Sequence, residues 1–307
     1  MRKKGIIVTV CVLALLAAIL VPLTLISRPP TGKIAVISLS GSITTGASSL
    51  LSGSTITPDL VRNYLTRAEN DRAVKAIVLR IDSPGGEIEP CQEILLQIER
   101  VKETKPVVVS MGAMAASGGY YISTGADEIV ALPTTETGSI GVISYQMDVQ
   151  GLLDKLGINI EVFKGGKYKD MFEGFRELTP EEKAIMQATV DEFYDQFVGV
   201  VAQGRGLNTD EVRNLATGQL YSGTEAKELG LIDQLGDLDM AINVAAQLAG
   251  VEAPKVEHYQ QPGLISRLLA GLVAAAQTRI SGLSAEDMIV LQVLSHNYRQ
   301  PLFLYQS

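Results

Sequence analysis

At 307 residues, with 46% hydrophobic and 20% charged side chains, the chain has the composition of a folded protein with a sizeable core, which excludes a disordered one. A net charge of −8, with no Lys/Arg-rich run beyond the extreme N-terminus, speaks against a nucleic-acid partner, because phosphate binding needs concentrated positive surface. Two cysteines, Cys11 and Cys91, cannot build a disulfide framework or a cysteine-based metal site.

Arg2, Lys3 and Lys4 precede an uncharged stretch, Gly5–Ser27, whose 23 residues suit a hydrocarbon core of ~30 Å. No small-x-small cleavage site follows, so the pattern predicts an uncleaved signal anchor. Positive charge ahead of the span puts the N-terminus in the cytoplasm and the rest of the chain outside. A cleaved signal peptide would lead to the same compartment. Residues 1–28 are thus read as basic end and transmembrane anchor, and 29–32 as a linker.

"KIAVISLSGSI" (33–43) reads as a strand, followed by a Ser/Gly/Thr-rich loop to about Ile56. Thr57-Pro58-Asp59 caps a helix with Leu60, Tyr64 and Leu65 on one face. "VKAIVLRID" (74–82) is a buried strand ended by "SPGG"; an amphipathic helix (88–104) and a second buried strand (106–111) follow. A small-residue helix is expected from about Ala115 to Thr124, then a strand over 127–133. "GSIGVIS" (138–144) and "INIEVFKG" (158–165) add extended pieces around a short helix. Thr179-Pro180-Glu181-Glu182 opens a long helix to about Gln203, and further helical segments reach Gly250. Near-continuous apolar strands alternating with helices indicate an α/β domain with a parallel sheet covered on both faces, over residues 33–250. Residues 251–307 read as a helical C-terminal extension and tail, apolar on most sides over 264–280.

Two glycine-bearing turns, "DSPGGEI" (82–88) and "MGAMAASGG" (111–119), fall at the carboxyl ends of adjacent predicted strands, where ligands gather in open α/β sheets. Tight turns and small-residue packing explain each of them equally well. If Ser117 is a nucleophile it needs a base. The two histidines, His258 and His296, lie near the C-terminus and outside the expected domain, which removes a Ser-His-Asp triad. No metal-ligand cluster or cofactor motif offers a substitute. A lysine remains, and it serves as a base only when uncharged, its reference pKa of about 10.4 lowered by burial. "FKGGKYKD" (163–170) supplies Lys164, Lys167 and Lys169; spacing does not choose among them. Asp170 must point away from Lys169 if that residue is to lose its charge.

In order along the chain, "SPGG", "MAASGGYYIS", "TGSIGVI", "GKYKD", "LTPEEK" and "GLIDQLG" resemble the short form of the bacterial signal peptide peptidase A family, Ser-Lys proteases of the crotonase/Clp-protease superfamily. The resemblance covers about 33–250. It implies a crotonase/Clp-protease-like parallel-sheet core with a helical C-terminal part, and a serine endopeptidase without metal or cofactor. By motif position, Ser117 would be the nucleophile, Lys169 the general base, Ser139 the hydroxyl orienting that lysine, and the N–H groups of Gly86 and Gly118 the oxyanion donors. It further implies homo-oligomers whose dyads form between neighbours, and cleaved signal peptides as substrates at the membrane. Three other readings stand beside it. One is a crotonase-type acyl-CoA enzyme, disfavoured by export away from the acyl-CoA pool. Another is a related Ser-Lys protease cutting a specific membrane protein, and the last a non-catalytic assembly protein.

Overall fold

Residues Ile34–Ile37 and Ala76–Leu79 are fully buried, four consecutive side chains in each case, the pattern of strands covered on both faces. The computed structural model describes residues 32–46 and 54–259. The span expected at Gly5–Ser27, His296 and the tail from residue 260 lie outside the described residues. Among the described residues no helix is long and apolar enough to cross a membrane.

In chain order the elements are β1 (Lys33–Ser40), β2 (Ser42–Ile43), β3 (Thr55–Ile56), α1 (Pro58–Asn70), β4 (Val74–Ser83), α2 (Ile88–Lys102), β5 (Val107–Ala116) and α3 (Gly118–Ser123). They continue as β6 (Glu128–Ala131), β7 (Glu136–Gly138), α4 (Gln150–Leu156), α5 (Pro180–Arg205) and α6 (Thr209–Leu215). The last are β8 (Leu220–Ser222), α7 (Gly223–Glu228), β9 (Gln234–Leu235), α8 (Leu238–Leu248) and β10 (Lys255–Tyr259). The main sheet runs β10-β1-β4-β5-β6-β9, all parallel, while β7 extends the end of β5 in parallel and pairs β8 antiparallel.

Alternation along the strands divides the core in two. Ile77, Leu79, Ile81, Val107, Val109 and Met111 face a large cluster with Val61 and Leu65 of α1, Ile94 and Ile98 of α2, Tyr120 of α3 and Phe197 and Val201 of α5. Ile34, Val36, Ala76, Val78, Val108 and Val130 face α8 through Ala241, Ile242 and Ala245. The helix starts follow their capping residues. Thr57 accepts from the Leu60 amide, and Thr179 and Glu182 form a reciprocal capping box on α5. Arg205, at the far end of α5, holds Asp233 bidentately at 2.6 and 2.9 Å, and Tyr120 donates to the Leu231 carbonyl at 2.9 Å, fastening α3 to the turn before β9.

Four expectations change. Ala115 and Ala116, expected to open the small-residue helix, instead end β5, because Met114–Ala116 find a partner in β7 and the helix α3 begins only after Ser117. The extended piece expected at 158–165 is irregular and exposed, with no partner strand among the described residues. Of "GSIGVIS" only Gly138 is in a strand. The sheet also runs past Gly250: β10 pairs β1 with His258 opposite Val36, so one histidine does belong to the sheet.

Candidate active site

β4 and β5 are parallel neighbours, so the turns that follow them meet at one edge of the sheet. After β4 the chain turns at Pro84-Gly85-Gly86. Ser83 Oγ accepts from the Gly85 amide at 3.1 Å, and Ile43 bridges the turn by donating to the Gly85 carbonyl and accepting from the Glu87 amide, both at 2.9 Å. The amides on both sides of Gly86 are thereby used, while its own N–H has no partner among the described residues. After β5, the Ser117 amide donates to the Gly138 carbonyl at 2.8 Å and the Ser117 carbonyl accepts from Tyr121, leaving the Gly118 N–H likewise unpartnered. A methyl group on Gly118 would sit 3.2 Å from the Gly86 nitrogen, so the two free amides lie within a few ångströms of each other. That approach requires bare backbone: a Cβ on Gly86 would be 1.9 Å from the Ile43 carbonyl oxygen.

Ser117 itself is strained. Its φ of 50° and ψ of −120° turn the chain sharply from strand to helix and lift its side chain from the sheet edge. Among the described residues, the non-glycine positions with positive φ are Ser117 and Ser139, the latter at φ 48°. Both residues line the same cavity of about 400 Å³, together with Gly86 and Gly118. Its walls are largely apolar, with Ile88, Tyr121, Val142, Ile143, Tyr194 and Phe197 among them. Tyr121 and Phe197 meet edge to face at 5.1 Å. Cys91 also reaches this cavity; burial first, and the nearby Glu87 charge second, push its thiol up to about 12, so it stays protonated at neutral pH.

The three candidate lysines separate by their partners. Lys164 reaches Asp170 at 2.6 Å, and Lys167 is held by Glu181, whose hydrogen bond raises it above the ordinary lysine value. Lys169 alone of the three has no carboxylate partner among the described residues. Asp170 is turned elsewhere: Arg176 binds it with Nε at 3.0 Å and Nη2 at 2.8 Å and, with Lys164 second, holds its carboxyl well below the usual carboxylate range. Within one chain, however, Lys169 is exposed and does not line the cavity that contains Ser117. His258 is exposed on β10 and does not line it either.

The walls contributed by α5 and the thiol of Cys91 escape a reading of the sequence. "EFYDQF" (192–197) carries its aromatics at helical spacing, a signal for a buried face rather than for a site.

The model of peptidase family S49 matches residues 99–252, and that of the Clp protease matches residues 52–138. A provisionally named protease of Synechocystis sp. is 39% identical over 277 residues, which cover 89% of this chain and 96% of that protein. The chain belongs to peptidase family S49. As an S49 member it is a serine-type hydrolase of peptide bonds on a Clp-protease-like α/β fold. A protein of Enterococcus faecium, provisionally named a signal peptide peptidase, is 40% identical over 213 residues, covering 69% of this chain and 62% of that one. Protease 4 of Salmonella typhi is 34% identical over 251 residues, 81% of this chain but 40% of its own length. The S49 chain described here thus spans less than two thirds of these last two relatives. A solved structure of a membrane-bound stomatin-specific protease mutant aligns with a TM-score of 0.47 at 20% identity, covering 76% of this chain and 99% of that one.

Proposed function

We infer that the chain is a membrane-anchored serine endopeptidase whose active site is completed between copies, Ser117 of one and Lys169 of the next forming the dyad. One observation carries the reading. Ser117, Ser139 and the free amides of Gly86 and Gly118 share a cavity, while Lys169 stands outside it on a segment of bare apolar side chains. Ile143 is 88% exposed, Met147 71% and Phe163 90%, with Leu152 and Leu156 also exposed. A folded chain keeps such a surface for a partner, and a heterologous contact that closes into a ring brings each arm to the next copy's cavity.

In the assembled site an uncharged lysine takes the Ser117 proton and the alkoxide attacks the substrate carbonyl. The Gly86 and Gly118 N–H groups receive the oxyanion; losing one such donor costs about 3–4 kcal/mol in the transition state. The lysine, now protonated, gives its proton to the leaving amine and then activates the water that hydrolyses the acyl-enzyme. Ser139 orients it by hydrogen bonding. Desolvation favours the neutral form of an amine, so burial of the arm under a neighbour supplies the base.

The apolar cavity walls suit small or aliphatic side chains, and remnant signal peptides released into the membrane are the substrates. The Gly5–Ser27 anchor, behind Arg2, Lys3 and Lys4, holds the catalytic domain on the extracytoplasmic side. The test is labelling of the assembled full-length protein with a fluorophosphonate probe, alongside cleavage of a synthetic signal peptide. Labelling at Ser117, lost in Ser117→Ala and in Lys169→Ala, is expected. Hydrolysis retained in either variant contradicts the mechanism, and loss caused by His258→Ala instead would return a histidine to it.

A further inference from the structure

We propose that Arg176 is a positioning residue for the general base: it clamps the backbone next to Lys169 and keeps the neighbouring carboxylate away from the reacting amine. This rests on the reading of Lys169 as that base. The chain from 157 to 179 has no helix or strand of its own, so Lys169 needs another source of order. Its covalent neighbour Asp170 provides it. The Asp170 side chain, 9% exposed, is gripped by Arg176 through Nε and Nη2, and by Lys164 at 2.6 Å. The same guanidinium binds Glu182 through Nη1 at 2.8 Å and Nη2 at 2.7 Å. Glu182 is the third residue of α5, 3% exposed, and its carboxylate also accepts the Thr179 amide at 2.9 Å. One planar fork therefore ties the lysine's segment to the capped first turn of a 26-residue helix, a geometry that a lysine at 176 could not reproduce.

The clamp has an electrostatic side. The charged groups facing Asp170 are Lys164 on its own segment, Arg176, and Glu182 from α5; Glu181 of α5 is occupied by Lys167 and Tyr168. Were Arg176 removed, an under-compensated carboxylate one residue from Lys169 would favour its ammonium form. Misplacement alone would lower the rate of proton transfer without changing the apolar cavity that binds substrate.

The experiment uses the full-length assembled protein and a fluorogenic apolar peptide. Arg176→Gln is expected to lower kcat by at least about tenfold with KM unchanged, and to move the acid limb of kcat/KM upward by about one pH unit. Asp170→Asn combined with Arg176→Gln returns the limb to its wild-type position but leaves kcat low; Arg176→Lys restores the limb and not kcat. An assembled Arg176→Gln protein with wild-type kcat and pH profile overturns the proposal, as does a kcat loss with no movement of the limb. Should Arg176→Gln not assemble, Asp170→Asn decides: lowered kcat at constant KM supports the clamp, and unchanged kcat overturns it. An active Lys169→Ala protein would sink the assignment of the base itself, whereas an inactive one beside a wild-type-like Arg176→Gln sinks the clamp alone.

Discussion

Replacing Ser117 with glycine should abolish hydrolysis and yet make the protein more stable. Ser117 sits at φ 50°, ψ −120°, where a residue with a Cβ stores about 1–3 kcal/mol of backbone strain. Glycine adopts that conformation freely but loses about 0.5–1 kcal/mol through the greater freedom of its unfolded chain. Taking the middle of each range leaves a net gain of about 1 kcal/mol, or about 2–4 °C in Tm for a domain of this size. Ser117→Ala keeps the Cβ and hence the strain, so it should be equally inactive with Tm close to wild type. Scanning calorimetry at fixed protein concentration, with peptide hydrolysis measured on the same samples, makes the comparison. A glycine variant no more stable than the alanine variant would refute the idea that the strand-to-helix turn is held under strain. Ser139, at φ 48°, offers a parallel case.

A methyl group at Gly118 would lie 2.4 Å from Cys91 Sγ, so Gly118→Ala should lower stability by about 1–3 kcal/mol. Cys91→Ala should relieve that clash in the double variant; strictly additive unfolding free energies in the cycle would contradict the packing. Because burial pushes the Cys91 thiol up to about 12, iodoacetamide at pH 8 should leave it unmodified until the protein is unfolded, and rapid labelling of the native protein would count against its burial. Asp170 and Glu182 are both held below their ordinary values, Glu182 at about 2, chiefly by hydrogen bonds from Arg176. A depressed folded-state value means stabilisation that is present above the unfolded carboxylate range of about 4 and is lost as the pH falls towards the folded values. Asp170→Asn should flatten the decline of the urea midpoint below about pH 4, and parallel acid curves for variant and wild type would refute that linkage.

Much of the sheet is legible in the sequence because parallel strands buried on both faces leave unbroken apolar runs, as at Ile34–Ile37 and Ala76–Leu79. Helix starts are legible for a local reason: Thr57 and Thr179 carry their own capping chemistry. The site is legible in part. Glycines at 85, 86 and 118 announce close backbone approach, but nothing local announces that Ser117 and Ser139 take positive φ, which the packing of β5 against β7 and of 139 against Gln219 imposes. The fate of residues 112–116 likewise depends on a partner strand that sequence spacing does not reveal. Lys164, Lys167 and Lys169 are equivalent by position, and the fold separates them only through Asp170, Arg176 and Glu181, whose pairings cross six to fourteen residues without helical periodicity. The irregular 158–165 segment has a strand's composition and no partner strand among the described residues, as the exposed Phe163 reflects.

The shared site is tested most directly by complementation. Ser117→Ala chains retain the lysine and Lys169→Ala chains retain the serine, each inactive alone. In assemblies formed from equal amounts, one neighbouring pair in four joins an intact serine to an intact lysine, so about a quarter of the wild-type peptidase activity should return. A mixture that co-assembles and stays inactive, or a monomer that cleaves peptides, would contradict a dyad built across two copies.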